Sequence, residues 1–191
     1  YLGCGAFPSG TFNRLYFSDE EGIAPGLGYS NNHDKYAKQL LDIMEQYSLP
    51  SFASVNIDKS LSEDGKTLTI KVSGKGGEVA SSMLKDYGLT VYVVEDGIKY
   101  RQLNLGTWVS NYIHNHVLRK VATAINGDDI NWTSSSAYEN IFEVTLDDSW
   151  VRDNISIIAF ISKRQPLKGA DLHSMEVSNA NSVKLTANSE D

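Results

Sequence analysis

The sequence has almost no cysteine, and this scarcity sets the first limits on its chemistry. Cys4 is the only cysteine among 191 residues, so the chain can form no internal disulfide and has no C-x-x-C motif for redox or zinc chemistry. It also has no basic run, and its formal net charge is −7. Because nucleic acids and anionic membranes attract clustered Lys and Arg, this acidity argues against both as partners.

Long apolar runs and nucleophile motifs are absent as well. Crossing a bilayer takes about 20 apolar residues, and the longest runs here are as short as residues 155–161. There is no G-x-S-x-G, P-loop or H-E-x-x-H motif, and Cys4 has no local basic partner that would mark an activated thiolate. We therefore predict that the chain is not an enzyme. Since it begins with Tyr1 rather than Met, we interpret it as a processed or excised part of a longer protein.

What is present after Pro50 is a strand pattern. Leu68, Ile70 and Val72 alternate with polar residues, as in a strand that is buried on one face. Other apolar segments separated by turn residues follow, with no helical pattern between them. About seven strands of this kind predict a mainly β fold, an antiparallel β-sandwich over residues 49–191. The predicted strands start near Phe52 and continue over 67–72, 89–95, 112–125, 138–146, 155–162 and 175–185, with 74–88 and 103–111 as connections.

The first 48 residues follow a different pattern. The glycine-rich stretch 22–28 predicts a loop. In Asp34–Tyr47 the apolar residues, Leu41 among them, fall at three- and four-residue steps, which predicts a helix with one buried stripe. Pro50 ends anything beyond it.

Two histidines stand close together in the predicted strand 112–125. His114 and His116 are two residues apart, so on a strand both imidazoles lie on one face, about 7 Å apart along the backbone. That separation allows a shared zinc or copper ion, although the sequence supplies no third ligand. The alternative is that they are hydrogen-bonded residues of a sheet.

Charged residues near the strand ends are further candidates. Arg119 could bind a ligand carboxylate through two hydrogen bonds, or it could pair with an acid on a neighbouring strand. Glu95 and Asp96, and likewise Asp147–Asp148, could serve as acid–base pairs or as calcium ligands. Both pairs also suit turns, and neither has the spacing of a calcium loop. We expect no cofactor, with calcium or zinc as the alternatives.

Aromatic side chains offer a softer signal for binding. Such residues can form a platform for a sugar or a peptide, but in a sandwich they more often pack in the core. Trp150 precedes a strongly apolar strand and is predicted to pack there. The candidates for a platform come from Tyr92, Tyr100, Trp108, Tyr112, Trp132 and Tyr138.

Four stretches together resemble a known family. They are Phe7–Arg14, Tyr92–Ile98, Tyr112–Val121 and Asn154–Ile161, and the segment His-Asn-His-Val-Leu-Arg in the third is the most specific. In this order they resemble the twenty-eight-kilodalton-type outer-membrane proteins of Bacteroidetes-like Gram-negative bacteria. The resemblance implies an exported lipoprotein or surface protein, located at the outer membrane, the cell surface or the periplasm. It also implies attachment through an upstream anchor rather than a membrane span.

The resemblance also implies how the chain is divided. In that family a thioredoxin-like region precedes a β-sandwich, so residues 1–48 are expected to be the C-terminal remnant of a thioredoxin-like domain. Pro8 then takes the position of its cis-proline, and Asp34–Tyr47 is its last helix. The redox-active half is missing from this sequence, so redox activity does not carry over.

These observations lead to three functional hypotheses. The first is a non-catalytic binding or scaffolding module whose strand edges and end loops engage a protein or glycan partner. The second is an accessory thiol–disulfide protein whose active cysteines lie upstream of this chain. The third is a metal-binding module that uses His114 and His116.

Overall fold

The computed structural model describes residues 51–104, 106–164 and 175–186, together with Lys38, Leu41 and Glu45. Lys38, Leu41 and Glu45 are helical, while the described residues from 51 onward are mainly β-structure with a short helix at Ala80–Met83 and a 3-10 turn at Arg152–Asn154. In chain order the strands are β1 (Asn56–Leu61), β2 (Thr67–Lys75), β3 (Tyr87–Glu95), β4 (Ile98–Asn104), β5 (Thr107–His114), β6 (Val117–Val121), β7 (Trp132–Ser134), β8 (Ala137–Thr145), β9 (Ile155–Lys163) and β10 (Val177–Lys184).

The first sheet has the strand order β1-β2-β8-β7, and all its pairings are antiparallel. The alternation in β2 explains its orientation, because Leu68, Ile70 and Val72 are fully buried while the residues between them are only partly covered. The turn from β1 to β2 contains Gly65 with φ 67°, a left-handed conformation that favours glycine. The strand predicted from Leu68, Ile70 and Val72 is confirmed.

The second sheet has the order β10-β9-β3-β6 and is also antiparallel. Its two central strands, β3 and β9, pair along their full lengths from Tyr87↔Lys163 to Glu95↔Ile155. Both are nearly continuous runs of apolar residues, as expected for strands at the centre of a folded domain.

The two sheets pack face to face around one hydrophobic core. Leu68, Ile70 and Val144 from the first sheet share this core with Val91 and Ile157 from the second. Burying each such side chain stabilises the fold by about 1.5–3 kcal/mol. Trp150 and Trp132 pack against the same core, so the prediction of core packing for Trp150 is confirmed. The predicted fold class, a mainly antiparallel β-sandwich, is also confirmed.

Two asparagines of β10 join the sheets along one side. The side-chain nitrogen of Asn179 donates to the carbonyl oxygen of Ala53 at 2.9 Å, and that of Asn181 donates to the carbonyl oxygen of Val55 at 2.9 Å. Ala53 and Val55 lie in the segment that leads into β1, so these bonds connect an edge of the second sheet to the start of the first.

Three sequence predictions need correction. Residues 103–111 are not a plain connection, because β4 and β5 run through most of them. The predicted strand 112–125 is interrupted, since β5 ends at His114 and β6 begins at Val117. Leu41 is helical as predicted but is 60% exposed rather than buried. The rest of residues 1–48, and with it the predicted thioredoxin-like remnant, lies outside the described residues.

Candidate functional site

Strands β4 and β5 form a two-stranded arm that pairs with neither large sheet. They pair only with each other among the described residues, in antiparallel register from Ile98↔His114 to Asn104↔Thr107. At a rise of about 3.3 Å per residue, the seven residues of β4 make the arm roughly 20 Å long. Nearly all of its side chains are exposed. We call these two strands the arm.

The arm carries most of its large apolar side chains in solvent. Their exposed fractions run from 38% for Val109 to 64% for Tyr100. Exposed apolar residues scattered singly need no explanation, but six of them on two paired strands indicate an element that interacts with a partner. The group consists of Tyr100, Leu103, Trp108, Val109, Tyr112 and Ile113.

The charge of the arm differs from that of the chain. Residues 98–114 contain Lys99 and Arg101 and no Asp or Glu, although the whole chain has a formal net charge of −7. The guanidinium carbon of Arg101 lies 4.7 Å from the centroid of the Trp108 ring, a cation–π distance. The arm is therefore a locally basic and aromatic element on an acidic protein.

The arm continues directly from two strands of the second sheet. β3 becomes β4 across Asp96–Gly97, and β5 becomes β6 across Asn115–His116. Gly97 has φ 75° and His116 has φ 54°, so both crossings contain a left-handed residue. The backbone nitrogen of Gly97 donates to Asn115 Oδ1 at 2.9 Å, and that of His116 donates to Asp96 Oδ1 at 2.7 Å. We call these four residues the base of the arm.

Asp96 connects the base of the arm to the edge of the second sheet. Besides accepting from His116, its carboxylate accepts a hydrogen bond from Lys184 Nζ of β10 at 3.0 Å. The hydrogen bond from the His116 backbone, followed by that from Lys184, holds the pKa of Asp96 below its ordinary value of 3.8. The Asp96 carboxylate therefore links the base of the arm to β10 and is not a free acid.

Glu95 and Arg119 brace the base from within the second sheet. The Glu95 carboxylate is 2% exposed; it accepts from Arg119 Nε at 2.7 Å and from the Val151 backbone nitrogen at 2.9 Å. The Arg119 guanidinium carbon also lies 5.9 Å from the centroid of the Trp150 ring. Arg119 thus pairs with an acid on the neighbouring strand, which was the alternative interpretation of this residue. A ligand carboxylate at Arg119 would have to compete with Glu95.

The two histidines do not share a strand. His114 is the last residue of β5, where its ring meets that of Tyr112 edge-on at 4.9 Å. His116 lies beyond the strand, and its side chain is 76% exposed. Within the described residues no three His, Cys, Asp or Glu side chains come close enough to hold a metal ion. The zinc hypothesis for His114 and His116 stays a prediction without a third ligand in this part of the chain.

Asp147 and Asp148 follow β8 in a turn, as the alternative interpretation expected. The Asp147 carboxylate accepts from the side-chain and backbone donors of Ser149 at 2.6 and 2.8 Å. These bonds hold the pKa of Asp147 below its ordinary value. Both bonds go to Oδ1, so the turn itself occupies that oxygen of Asp147.

Comparison with known proteins shows the family to which this sequence belongs. A family model described as outer membrane protein Omp28 matches residues 1–188. The chain belongs to the Omp28 family. Its location is accordingly the outer membrane or the cell surface, and the resemblance stated from the sequence is confirmed. In the described residues no helix is long and apolar enough to cross a membrane.

The solved structure of HBP35 supports the fold. HBP35 of Porphyromonas gingivalis superposes with a TM-score of 0.72 at 19% identity, over 99% of this chain and 57% of that chain. The Omp28-family chain therefore spans little more than half of HBP35. A domain of the outer membrane lipoprotein Omp28 from P. gingivalis matches with a TM-score of 0.47 at 21% identity, over 71% of this chain and 88% of that chain. A search of curated proteins finds no match.

Proposed function

We propose that this Omp28-family chain is a non-catalytic binding or scaffolding module at the outer membrane or cell surface, with a protein or glycan as partner. The observation that carries the proposal is the arm, which presents six large apolar side chains to solvent outside the sandwich. Such residues contribute little to folding where they stand. Their exposure is explained if they are covered by something outside the chain.

The titratable groups support a non-catalytic role. Catalytic acids and bases typically have pKa values perturbed by burial and a specific charge partner in a cleft. Here the pKa values of Asp64, Asp96 and Asp147 are lowered mainly by hydrogen bonds within turns or at the base of the arm. Burial raises the pKa values of Tyr87 and Tyr138. The shift of Tyr87 also comes from its hydrogen bond to the Glu176 carboxylate at 2.8 Å, and the raised pKa keeps Tyr87 a protonated donor in that bond.

Tyr100 and Tyr112 are the residues on which to test partner binding. They are cross-strand partners on the arm, 64% and 44% exposed, and aromatic side chains of this kind are frequent anchors in interfaces. We expect the double variant Tyr100→Ser/Tyr112→Ser to lose binding on a glycan array, or cross-linking to an outer-membrane protein, by at least about tenfold.

The matched control is Ile141→Ser. Ile141 lies on β8 in the first sheet and is 61% exposed, so its change removes a comparable apolar group away from the arm. The control is expected to bind like the wild type. An arm variant that binds as well as the wild type, or a wild type that captures neither glycan nor protein, would contradict the proposal.

The thiol–disulfide alternative depends on residues outside the described part. Cys4 is the only cysteine of the chain and lies there, so this function requires active cysteines in an upstream segment. A disulfide-reduction assay on the longest natural form of the protein tests it. Activity that disappears on mutation of an upstream cysteine pair would favour this alternative.

A further inference from the structure

The far end of the arm differs from its base in the kind of residue exposed. Leu103 and Trp108 form the cross-strand pair next to the last one, and Val109 lies beside them, opposite Gln102. Their exposed fractions are 52%, 57% and 38%. We call Leu103, Trp108 and Val109 the tip cluster. It places aliphatic and indole side chains at the point of the arm farthest from the sandwich.

The tip cluster is exposed on both faces of the arm. Paired residues of an antiparallel ladder point to the same face, and successive pairs point to opposite faces. Leu103 and Trp108 therefore lie on one face, while Val109 lies on the other. A flat partner covers only one face of a ribbon. Exposure on both faces suits a medium that surrounds the tip.

The charges on the arm suit a lipid headgroup layer. Arg101 and Lys99 stand on β4 between the base of the arm and the tip cluster, and residues 98–114 contain no acid. Arginine and lysine can keep their charged ends among phosphates while their stems cover apolar surface. Tryptophan favours the same interfacial depth, where its ring is in an apolar layer and its N–H stays hydrated.

We infer that the tip cluster inserts into the headgroup layer of a phospholipid surface and so docks the sandwich end-on against the membrane. The inference rests on the proposed binding role of the arm, but assigns phospholipid, rather than a protein or glycan, to its tip. Insertion is shallow because the outer edges of β4 and β5 have no strand partner among the described residues, and unpaired backbone groups are not tolerated in hydrocarbon.

The acidity of the rest of the chain adds to this orientation. All acids lie outside residues 98–114, and without Lys99 and Arg101 the formal net charge of those other residues is −9 rather than the −7 of the whole chain. An anionic surface therefore repels the sandwich and attracts Lys99 and Arg101. The negative net charge of the whole chain disfavours an anionic membrane as partner. The arm is the local exception, because residues 98–114 carry a positive charge.

Vesicle binding by the full chain, without any attached lipid, tests the inference. Vesicles of phosphatidylethanolamine and phosphatidylglycerol are floated with the wild type, with Leu103→Ser/Trp108→Ser, and with the Ile141→Ser control. We expect the wild type and the control to float with the vesicles, and the tip variant to partition at least tenfold more weakly. Lys99→Ser/Arg101→Ser should reduce the preference for vesicles that contain phosphatidylglycerol over purely zwitterionic ones.

Trp108 itself reports on insertion. Trp132 and Trp150 are half-buried against the core, so the exposed Trp108 dominates any change in emission. Vesicles should shift the wild-type emission to shorter wavelength, and lipids brominated near the headgroup should quench it. Trp108→Phe should still float but should lose the shift.

The outcomes separate this inference from the proposed function. A wild type that does not float, or a tip variant that floats as well as the wild type, overturns the inference. If the wild type does not float with the vesicles, while Tyr100→Ser/Tyr112→Ser still abolishes capture of a protein or glycan, the proposed function stands and only the lipid assignment is lost. If vesicle binding depends on the tip but no protein or glycan is captured, the lipid assignment stands and the proposed partner is lost.

Discussion

Among single residues, Glu95 and Arg119 have the clearest energetic role. Glu95 is almost completely buried beside the base of the arm, and Arg119 Nε and the Val151 backbone nitrogen are the donors to its carboxylate. Taking a carboxylate out of water is costly unless it is paired, so removing one partner costs more than removing both. The stabilising effect of Glu95 and that of Arg119 therefore depend on each other.

Arg119→Met should destabilise the protein by about 3–5 kcal/mol, because it leaves the Glu95 charge buried and unpaired. The double variant Glu95→Gln/Arg119→Met should recover part of that loss. Urea unfolding followed by circular dichroism measures both. The control is Lys71→Met, since Lys71 forms only exposed pairs with Asp58 and Glu139 and should change stability by less than about 1 kcal/mol. Equal effects for Arg119 and Lys71 would contradict this account.

Asp96 gives a pH dependence with a definite sign. Its folded-state pKa is below the ordinary value of 3.8. Its contribution to stability is therefore fully present above pH 3.8 and is lost as the pH falls through the folded-state value. Asp96→Asn keeps an oxygen for the His116 backbone but has no charge to lose.

The test compares the urea midpoints of the wild type and Asp96→Asn as the pH is lowered from neutrality. Asp64 and Asp147 also have lowered pKa values and titrate in both proteins, so the difference between the curves isolates Asp96. That difference should be constant above pH 3.8 and shrink below it. Curves that remain parallel throughout the acid range would refute the role given to Asp96.

At the level of elements, the strands of the arm and those of the sandwich differ in burial and therefore in sequence pattern. β2 of the sandwich buries alternate residues on one face, which is the origin of its period-two pattern. For this reason the sequence predicts β2 through Leu68, Ile70 and Val72. The arm has no buried face, so its residues lack that alternation and the sequence pattern predicts a connection over 103–111. The usable signal was the turn residue Gly106, which separates two segments rich in aromatic and β-branched residues.

The sequence pattern does not predict the base of the arm, for a related reason. A kink that interrupts two paired strands at once depends on contacts between residues far apart in sequence, such as Asp96 with His116 and Lys184. The pairing of Arg119 with an acid on a neighbouring strand was foreseeable. That the acid is Glu95 depends on strand order, which the sequence does not specify.

Replacing the arm should leave the sandwich intact. Glu95 and Val117 are register partners on β3 and β6, so a short Asn-Gly turn can join the two strands in place of residues 96–116. Since the arm residues removed are exposed, we expect the free energy of unfolding to fall by no more than about 1 kcal/mol beyond the loss of the Asp96–Lys184 pair. Denaturant unfolding measures it, and loss of a cooperative transition would show that the arm is part of the core.

On the scale of the whole molecule, two sheets share one core and are joined at one side by hydrogen bonds. Asn179 and Asn181 donate to the Ala53 and Val55 carbonyls, and Tyr138 Oη donates to the Ser54 carbonyl at 2.9 Å. The segment before β1 is thus held by these side chains together with a backbone hydrogen bond from Ser54 to Lys75 and an isolated bridge between Ala53 and Gly76. These bonds fix where the first sheet starts relative to the second.

The double variant Asn179→Ala/Asn181→Ala should lower the free energy of unfolding by about 1–3 kcal/mol, since each change removes one hydrogen bond from a part-buried carbonyl. Amide hydrogen exchange should show faster exchange around Val55 with little change in β3. A suitable comparison is Asn56→Ala, whose side chain makes only an exposed bond of 3.5 Å to Ser54. A loss no larger than that of Asn56→Ala would mean that the asparagine bonds do not hold the sheets together.

The continuity of β3 into β4 and of β5 into β6 also determines how the molecule bears mechanical load. Tension on the end of the arm passes into β3 and β6, which lie side by side in the second sheet. A pull along the strand axes loads the nine residue pairs between β3 and β9 together in shear and does not open them one after another. A pull across the strands would instead peel β6 away first. The arm thus continues from β3, the most deeply buried strand of the fold. The force needed to unfold the protein should therefore depend on the direction of the pull.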